Sequence, residues 1–519
     1  MTVLLRRNRG AGASIDAGAE RRRSRLARPF TAVGVALAMV LSSAPLAAQA
    51  DDVDLTPGPT IVKDENSPTG YTGHFVYYNP DATSVRFVAD ILLRNWEDPS
   101  DTTVYQPSEY RPGLMRGGGA YDVEMTPVGD GYWVHDVPLA AGVNQYWFYV
   151  NNNTNLWVTD PANSPIYAPD GLTGTARRAF NKVYVPYDAE KQNYAPLAAR
   201  EIENERPDTA KGTWSYVEIP SLPPLNGIPR TIGVYLPPGY DENRAEPYKL
   251  IYMQHGGGQD QSDWMNIGDV PVIMDNLLAD GLTEPAVVIT TNTNYLGAAN
   301  QGYPNLRNIV MPFVEENYNV STKPIDRAFA GLSAGSFVTQ NIINFDPTLF
   351  GWYGPWSGGV SVQVAAPNLA APYILYGGGA WDFGLPNANQ VAQRDAVAFV
   401  ENVVVAGAHD FNAWNQLFTI FARDYLWQPE KFIADEIGQL KDGVAATSLN
   451  GGNKNALTVK LNQAYNLVAK DKNDEALEVL GGFVDQVNAF ASNGKLTAEE
   501  ADGFLALADQ LLFNLGFWE

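Results

Sequence analysis

Gly331-Leu332-Ser333-Ala334-Gly335 is the stretch that decides the fold: a serine flanked two residues away on each side by glycine. Asp326-Arg327-Ala328-Phe329-Ala330 ahead of it reads as a short buried strand, and Ser336 to Phe345 carries apolar residues at helical intervals. A strand that turns straight into a helix bends too sharply to tolerate a Cβ at its flanks. Glycine on both sides therefore leaves the serine Oγ exposed above the sheet. A chain with 47 glycines also makes ordinary glycine-rich turns, so the reading depends on whether the serine has partners.

A serine hydroxyl needs a base to take its proton, and behind such a turn the base follows the serine and an acid in chain order. The chain has 4 histidines, His74, His135, His255 and His409. The first two fall in an N-terminal segment of separate character. His255 opens His255-Gly256-Gly257-Gly258 directly after Leu250-Ile251-Tyr252-Met253, where a glycine loop supplies an oxyanion-hole amide, so it is expected to shape that loop. His409 follows Val403-Val404-Val405. That puts it at the C-terminal end of a strand, where ligands collect in an open α/β sheet, and it is the expected general base.

Between serine and base lie Asp346, Asp382, Asp395 and Glu401. Asp382 comes after Tyr373-Ile374-Leu375-Tyr376 and a triple glycine, a strand ending in a turn. Asp395 and Glu401 belong to the helical pattern Val391 to Val400 or its end, and Asp346 precedes Pro347 in a loop; carboxylates there are usually solvated. The expected catalytic set is Ser333, Asp382 and His409, with the backbone amides of Ala334, Gly256 and Gly257 for the oxyanion.

These residues resemble the esterase D, or feruloyl-esterase-like, branch of the α/β-hydrolases, a group that also holds acetylxylan esterases, siderophore esterases and mycolyltransferases. The resemblance covers about residues 212 to 430. It rests on Tyr235-Leu236-Pro237-Pro238-Gly239-Tyr240, on His255-Gly256-Gly257-Gly258 followed by Asp263-Trp264, on the serine pentapeptide, and on His409-Asp410-Phe411-Asn412-Ala413-Trp414. Ser336 stands where the family often has a second glycine. The resemblance implies a serine carboxylesterase working through an acyl-enzyme, without a cofactor or metal. Feruloyl or acetyl esters of plant cell-wall polysaccharide are the expected substrates. Siderophore esterase, acyltransferase and inactive carbohydrate-binding surface protein are the alternatives. Trp264 and Trp414, beside the motifs, and Tyr295 and Tyr303, in the Asn- and Gly-rich loop Thr291 to Tyr303, are candidate substrate contacts.

Residues 1–50 read as an export signal. Arg21-Arg22-Arg23, Arg25 and Arg28 are its basic region, Ala32 to Leu41 its apolar core, and Ala48-Gln49-Ala50 its cleavage site. The apolar run is too short to span a bilayer, so a secreted protein without stable membrane insertion is expected. The chain carries 58 acidic against 35 basic residues, a net charge of −23, which disfavours nucleic acid as a partner. With no cysteine, disulfides, thiolate nucleophiles and cysteine metal sites are excluded.

Residues 51–187 show short strands divided by turn residues, such as Thr83 to Val88, Gly131 to His135 and Gln145 to Val150, which points to a β-sandwich. Met125-Thr126-Pro127 through Gly131-Tyr132-Trp133 to Asp160-Pro161 resembles the early-set immunoglobulin-like domains found beside carbohydrate-active enzymes, and Trp133, Trp147 and Trp157 are candidates for stacking on sugars. A polar linker, 188–211, leads to the mostly parallel α/β-hydrolase domain, 212–430. A second linker, 431–453, precedes a C-terminal α-helical module, 454–519. That module's three amphipathic helices resemble a unit common at the C-termini of secreted bacterial proteins.

Overall fold

A computed structural model describes residues 54–296, 301–359, 373–386, 399–470 and 472–517. The expected export signal and Asp395 lie outside the described residues. The first strands are β1 (Gly58–Lys63), β2 (Tyr71–Tyr78), β3 (Val85–Asn95), β4 (Leu114–Glu124), β5 (Thr126–Gly129), β6 (Tyr132–Pro138), β7 (Gly142–Val150) and β8 (Asn181–Val185). They pair antiparallel into two four-stranded sheets, ordered β1-β2-β6-β5 and β4-β3-β7-β8. Phe75 and Tyr77 of one sheet meet Phe87, Tyr146 and Phe148 of the other in a shared core, so the pair is a sandwich.

β7 is apolar nearly throughout because both of its faces are covered. Tyr146 and Phe148 point into the sandwich, while Trp147, together with Val88 of β3, joins a second core that runs on into the following domain. Burying a side chain of this size stabilises by roughly 1.5–3 kcal/mol.

The next eight strands are β9 (Thr213–Glu218), β10 (Thr231–Leu236), β11 (Lys249–Gln254), β12 (Ala286–Thr291), β13 (Arg327–Leu332), β14 (Trp352–Trp356), β15 (Tyr373–Gly379) and β16 (Phe399–Val405). Their order across the sheet is β16-β15-β14-β13-β11-β12-β10-β9. β12, β11, β13, β14, β15 and β16 run parallel, and β10 is antiparallel to both its neighbours. Successive residues belong to opposite cores: Ile251 and Met253 to one, Leu250 and Tyr252 to the other. That is the mark of strands covered on both faces. Helices α1 (Val270–Ala279), α2 (Met311–Asn317), α3 (Ala334–Phe345) and α4 (Phe411–Ile420) supply the cover.

Two expected linkers are packed structure instead. Within 188–211, a short helix and a 3-10 turn run from Ala195 to Glu203, with Arg200, Ile202 and Glu203 buried. This segment is a wedge between sandwich and sheet. Within 431–453, α5 (Pro429–Ala446) is an 18-residue helix. Its Ile433, Ile437, Leu440 and Val444 are buried, and their spacings of three and four residues form one apolar stripe. Asn450, inside the second expected linker, caps α6 (Gly451–Val468) by accepting from the Asn453 amide at 2.9 Å. With α7 (Asn473–Ser492) and α8 (Ala498–Phe517), these helices share a core that continues through Phe432 onto Trp352 and Tyr373 of the sheet. From Pro57 onward the chain divides no further into separate compact units. No helix among the described residues is long and apolar enough to cross a membrane.

Candidate active site

Ser333 sits between β13 and α3 with φ 51° and ψ −115°. A non-glycine residue in this left-handed region stores strain, which the surroundings must hold. They do so sterically. A Cβ on Gly331 would lie 2.4 Å from the Gly335 carbonyl oxygen, and one on Gly335 would lie 2.7 Å from those of Gln254 and His255. Both glycines are therefore obligatory. The Ser333 amide donates to Trp356 O at 2.9 Å, and its Oγ lies 2.9 Å from His409 Nε2. His409 Nδ1 lies 2.8 Å from Asp382 Oδ1. Serine, acid and imidazole thus come from the C-terminal ends of β13, β15 and β16.

The Asp382 carboxylate is fully buried and also accepts from the Gly384 amide at 2.6 Å. Its turn rests on the sandwich: Trp381 lies so close to Gly117 that a Cβ there would be 2.1 Å from the indole, and Trp96 meets Trp381 edge-on. The His409 loop is held from the same side. Arg200 donates to Asn412 O at 3.0 Å and to Asn412 Oδ1 at 2.6 Å. Asn412 Nδ2 donates to Arg116 O at 3.3 Å and to Ala406 O at 3.1 Å. Asp410 caps α4 through the Ala413 amide, and burial raises its carboxyl above the usual range.

The candidate oxyanion donors separate. Ala334 begins α3, where the first-turn amides have no partner inside the helix. The Gly256 amide is committed to Gln259 Oε1 at 2.8 Å, which corrects the expectation for that residue, whereas Gly257 lines the cavity containing Ser333 and His409. His255 shapes the loop. Its Nε2 accepts from the Thr293 amide at 3.3 Å, so Nδ1 carries the proton donated to Gly256 O at 2.8 Å, and burial lowers its pKa.

The cavity measures about 480 Å³ and is lined by Asn155, Trp157 and Thr175 to Arg178 from the segment between β7 and β8, besides Gly257, Gly258, Ser333, Phe383 and His409. That segment is pinned across the glycine loop. Arg177 pairs with Asp260 and, at 3.2 Å, with Asp263, and the Leu172 amide donates to Asp260 at 2.8 Å. Phe383, 86% exposed, stacks on His409 with ring centroids 4.0 Å apart.

Of the four candidate substrate contacts, three lie elsewhere. Trp264 is wholly buried and donates to Gln254 O. Tyr303 donates to Asp346 at 2.9 Å, which also uses that carboxylate. Tyr295 lies under the Arg230 guanidinium. Trp414, 4% exposed, backs His409 edge-on and lines a second cavity of about 300 Å³ with Asp90, Trp147 and Trp157. Among the candidate sugar-stacking residues, Trp133 belongs to the sandwich core. Trp147 and Trp157 stack on each other with centroids 4.2 Å apart.

A mostly parallel sheet that turns through a strained serine into a helix, with acid and imidazole delivered by later strand ends, defines an α/β-hydrolase-like region. Residues 226–423 match the family model described as "Putative esterase", and this part of the chain is an esterase domain of that family. Residues 434–513 match the FIMAH domain. An endo-1,4-beta-xylanase/feruloyl esterase of Xylanibacter ruminicola is 32% identical over 37% of this chain and 28% of its own. Endo-1,4-beta-xylanase Y of Acetivibrio thermocellus is 32% identical over 28% of this chain and 15% of its own. The chain therefore spans less than a third of either relative. The enterobactin esterase of Shigella flexneri, a solved structure, is 13% identical with a TM-score of 0.44, over 72% of this chain and 97% of its own.

Proposed function

We propose that the chain is a serine carboxylesterase whose catalytic set is Ser333, His409 and Asp382. The observation that carries this reading is the continuous hydrogen-bonded line from Ser333 Oγ through His409 to the buried Asp382, ending on a strained elbow open to a cavity. His409 Nε2 takes the Oγ proton as Oγ bonds to the ester carbonyl carbon. The amides of Ala334 and Gly257 hold the resulting oxyanion. His409 then returns the proton to the departing alkoxide, leaving an acyl-serine, and repeats the cycle with water. Asp382 fixes the imidazole's orientation and stabilises its cation.

The relatives' names, a xylanase/feruloyl esterase among them, support feruloyl or acetyl esters of plant cell-wall polysaccharide as substrates. The leader-like residues 1–50 support export. The two antiparallel sheets support an early-set immunoglobulin-like assignment for the N-terminal sandwich. The test is turnover of aryl acetate, methyl ferulate and acetylated xylan by the native protein and by Ser333→Ala. Hydrolysis that survives the substitution, or no hydrolysis of any ester by the native protein, contradicts the proposal.

A further inference from the structure

Two adjacent arginines line the cavity in different states. Arg177 is 5% exposed and neutralised by Asp260 and Asp263. Arg178 is exposed, and among the described residues no carboxylate lies within ion-pair distance of it. It is nonetheless held in place. Its amide donates to Gly258 O at 2.9 Å. Its stem lies across Gly258, where a Cβ would come within 3.1 Å of Arg178 Cγ, and its guanidinium lies 5.9 Å from the centre of the Trp157 ring. Ser333 and His409 line the same cavity, with Asn155 and Thr175 as uncharged polar neighbours. Asp90 shares the second cavity with Arg178 and is near enough to feel its charge, but it is hydrogen-bonded to Gln145 and makes no ion pair with Arg178.

A planar fork of N–H donors, backed by an indole and without an acid of its own, matches a carboxylate in bidentate geometry. We propose that Arg178 binds a free carboxylate carried by the substrate, in either its acyl or its alcohol part, so that carboxylate-bearing esters are the favoured class. This rests on the esterase reading of the same cavity. The protein's overall charge of −23 works against an anionic ligand, but exposed charges are screened over about 8 Å at physiological ionic strength. A guanidinium in contact with the ligand outweighs acids spread over a distant surface.

Two matched pairs of esters test this and distinguish the source of the carboxylate. Chlorogenate, with its carboxylate on the alcohol part, is compared with its methyl ester. The mono-4-nitrophenyl ester of adipate, with its carboxylate on the acyl part, is compared with 4-nitrophenyl hexanoate. In Arg178→Gln, the ratio of kcat/KM for the anionic over the neutral member should fall about tenfold in at least one pair, with part of it retained in Arg178→Lys. Changes below about twofold in both pairs overturn the proposal. Calorimetry of both pairs in a Ser333→Ala background removes the dependence on turnover. Adding Arg178→Gln should weaken the anionic member about tenfold against its neutral partner in the pair that responds. If the native protein hydrolyses none of these esters yet the carboxylate still binds through Arg178, the esterase reading fails and the site stands. Binding indifferent to Arg178 in both pairs overturns the site.

Discussion

Ser333 stands on a backbone conformation that only its two flanking glycines permit, and its hydroxyl ends a relay whose far carboxylate is sealed from solvent. Ser333→Ala removes the nucleophile without altering the turn. Its kcat on an aryl ester is predicted to fall by roughly 10⁴–10⁶-fold at unchanged melting temperature, and kinetics beside thermal unfolding check this. A second residue-scale prediction concerns Asp90, whose carboxyl is pushed up to about 7 by burial first and by the charge of Asp410 next. The folded state then keeps a proton that the unfolded chain releases near pH 4. The stability this contributes is complete below about pH 4 and is lost as pH rises through about 7. Asp90→Asn stays neutral throughout, so its stability relative to the native protein should improve between pH 5 and pH 8, by on the order of 1–2 kcal/mol. Urea unfolding at the two pH values measures it, and a difference independent of pH would count against it. At this scale the sequence was most informative where chemistry restricts residue type: Ser333, Asp382 and His409 meet as the order of strand ends suggests. Arg178 and Phe383 carried no such signal, because they reach the cavity through loops whose course no periodicity encodes. Trp264 misled because its position beside a motif says nothing of which way its side chain is buried.

The strands of the sheet were legible where apolar runs ended in glycine or turn residues, as at β11, β13 and β15. β14 was not, because Trp352-Tyr353-Gly354-Pro355-Trp356 contains a glycine and a proline that ordinarily argue against a central strand. The wedge Ala195 to Glu203 reads as a polar linker because two of its buried members, Arg200 and Glu203, are charged, and the groups that hold them in place, Asn412 and the Val143 amide, are far away in the chain. Its role is to hold the His409 loop through Asn412. Asn412→Ala removes the side-chain acceptor for Arg200, leaving only the backbone one, and breaks the links to Arg116 O and Ala406 O while leaving the Arg200–Glu203 pair intact. Small displacements of a catalytic group cost up to about 100-fold. The variant is therefore predicted to lose about 10- to 100-fold in kcat with KM within a few-fold. A matching rise in KM, or no loss at all, would show that the loop keeps its place without the wedge.

Three patterns in the sequence, a sandwich, a parallel sheet and a helical module, correspond to recognisable parts, yet the polar stretches between them are not joints. Trp147 buries one face of the sandwich into the hydrolase core, and Phe432 does the same for the first C-terminal helix. A chain ending near Glu430 would uncover Trp352 and Tyr373 and is predicted to unfold at a markedly lower temperature. One ending after Thr447 keeps α5 and should retain kcat on an aryl acetate within a few-fold. Thermal unfolding and kinetics of the two truncated proteins decide this, and equal behaviour would return α5 to the status of a linker. The central claim, that this assembly activates one serine, is tested most directly by fluorophosphonate labelling of the full-length protein with peptide mass spectrometry. The expected result is one adduct per chain, on Ser333, abolished in Ser333→Ala and strongly slowed in His409→Gln. An unlabelled native protein, or an adduct on another residue, would contradict it.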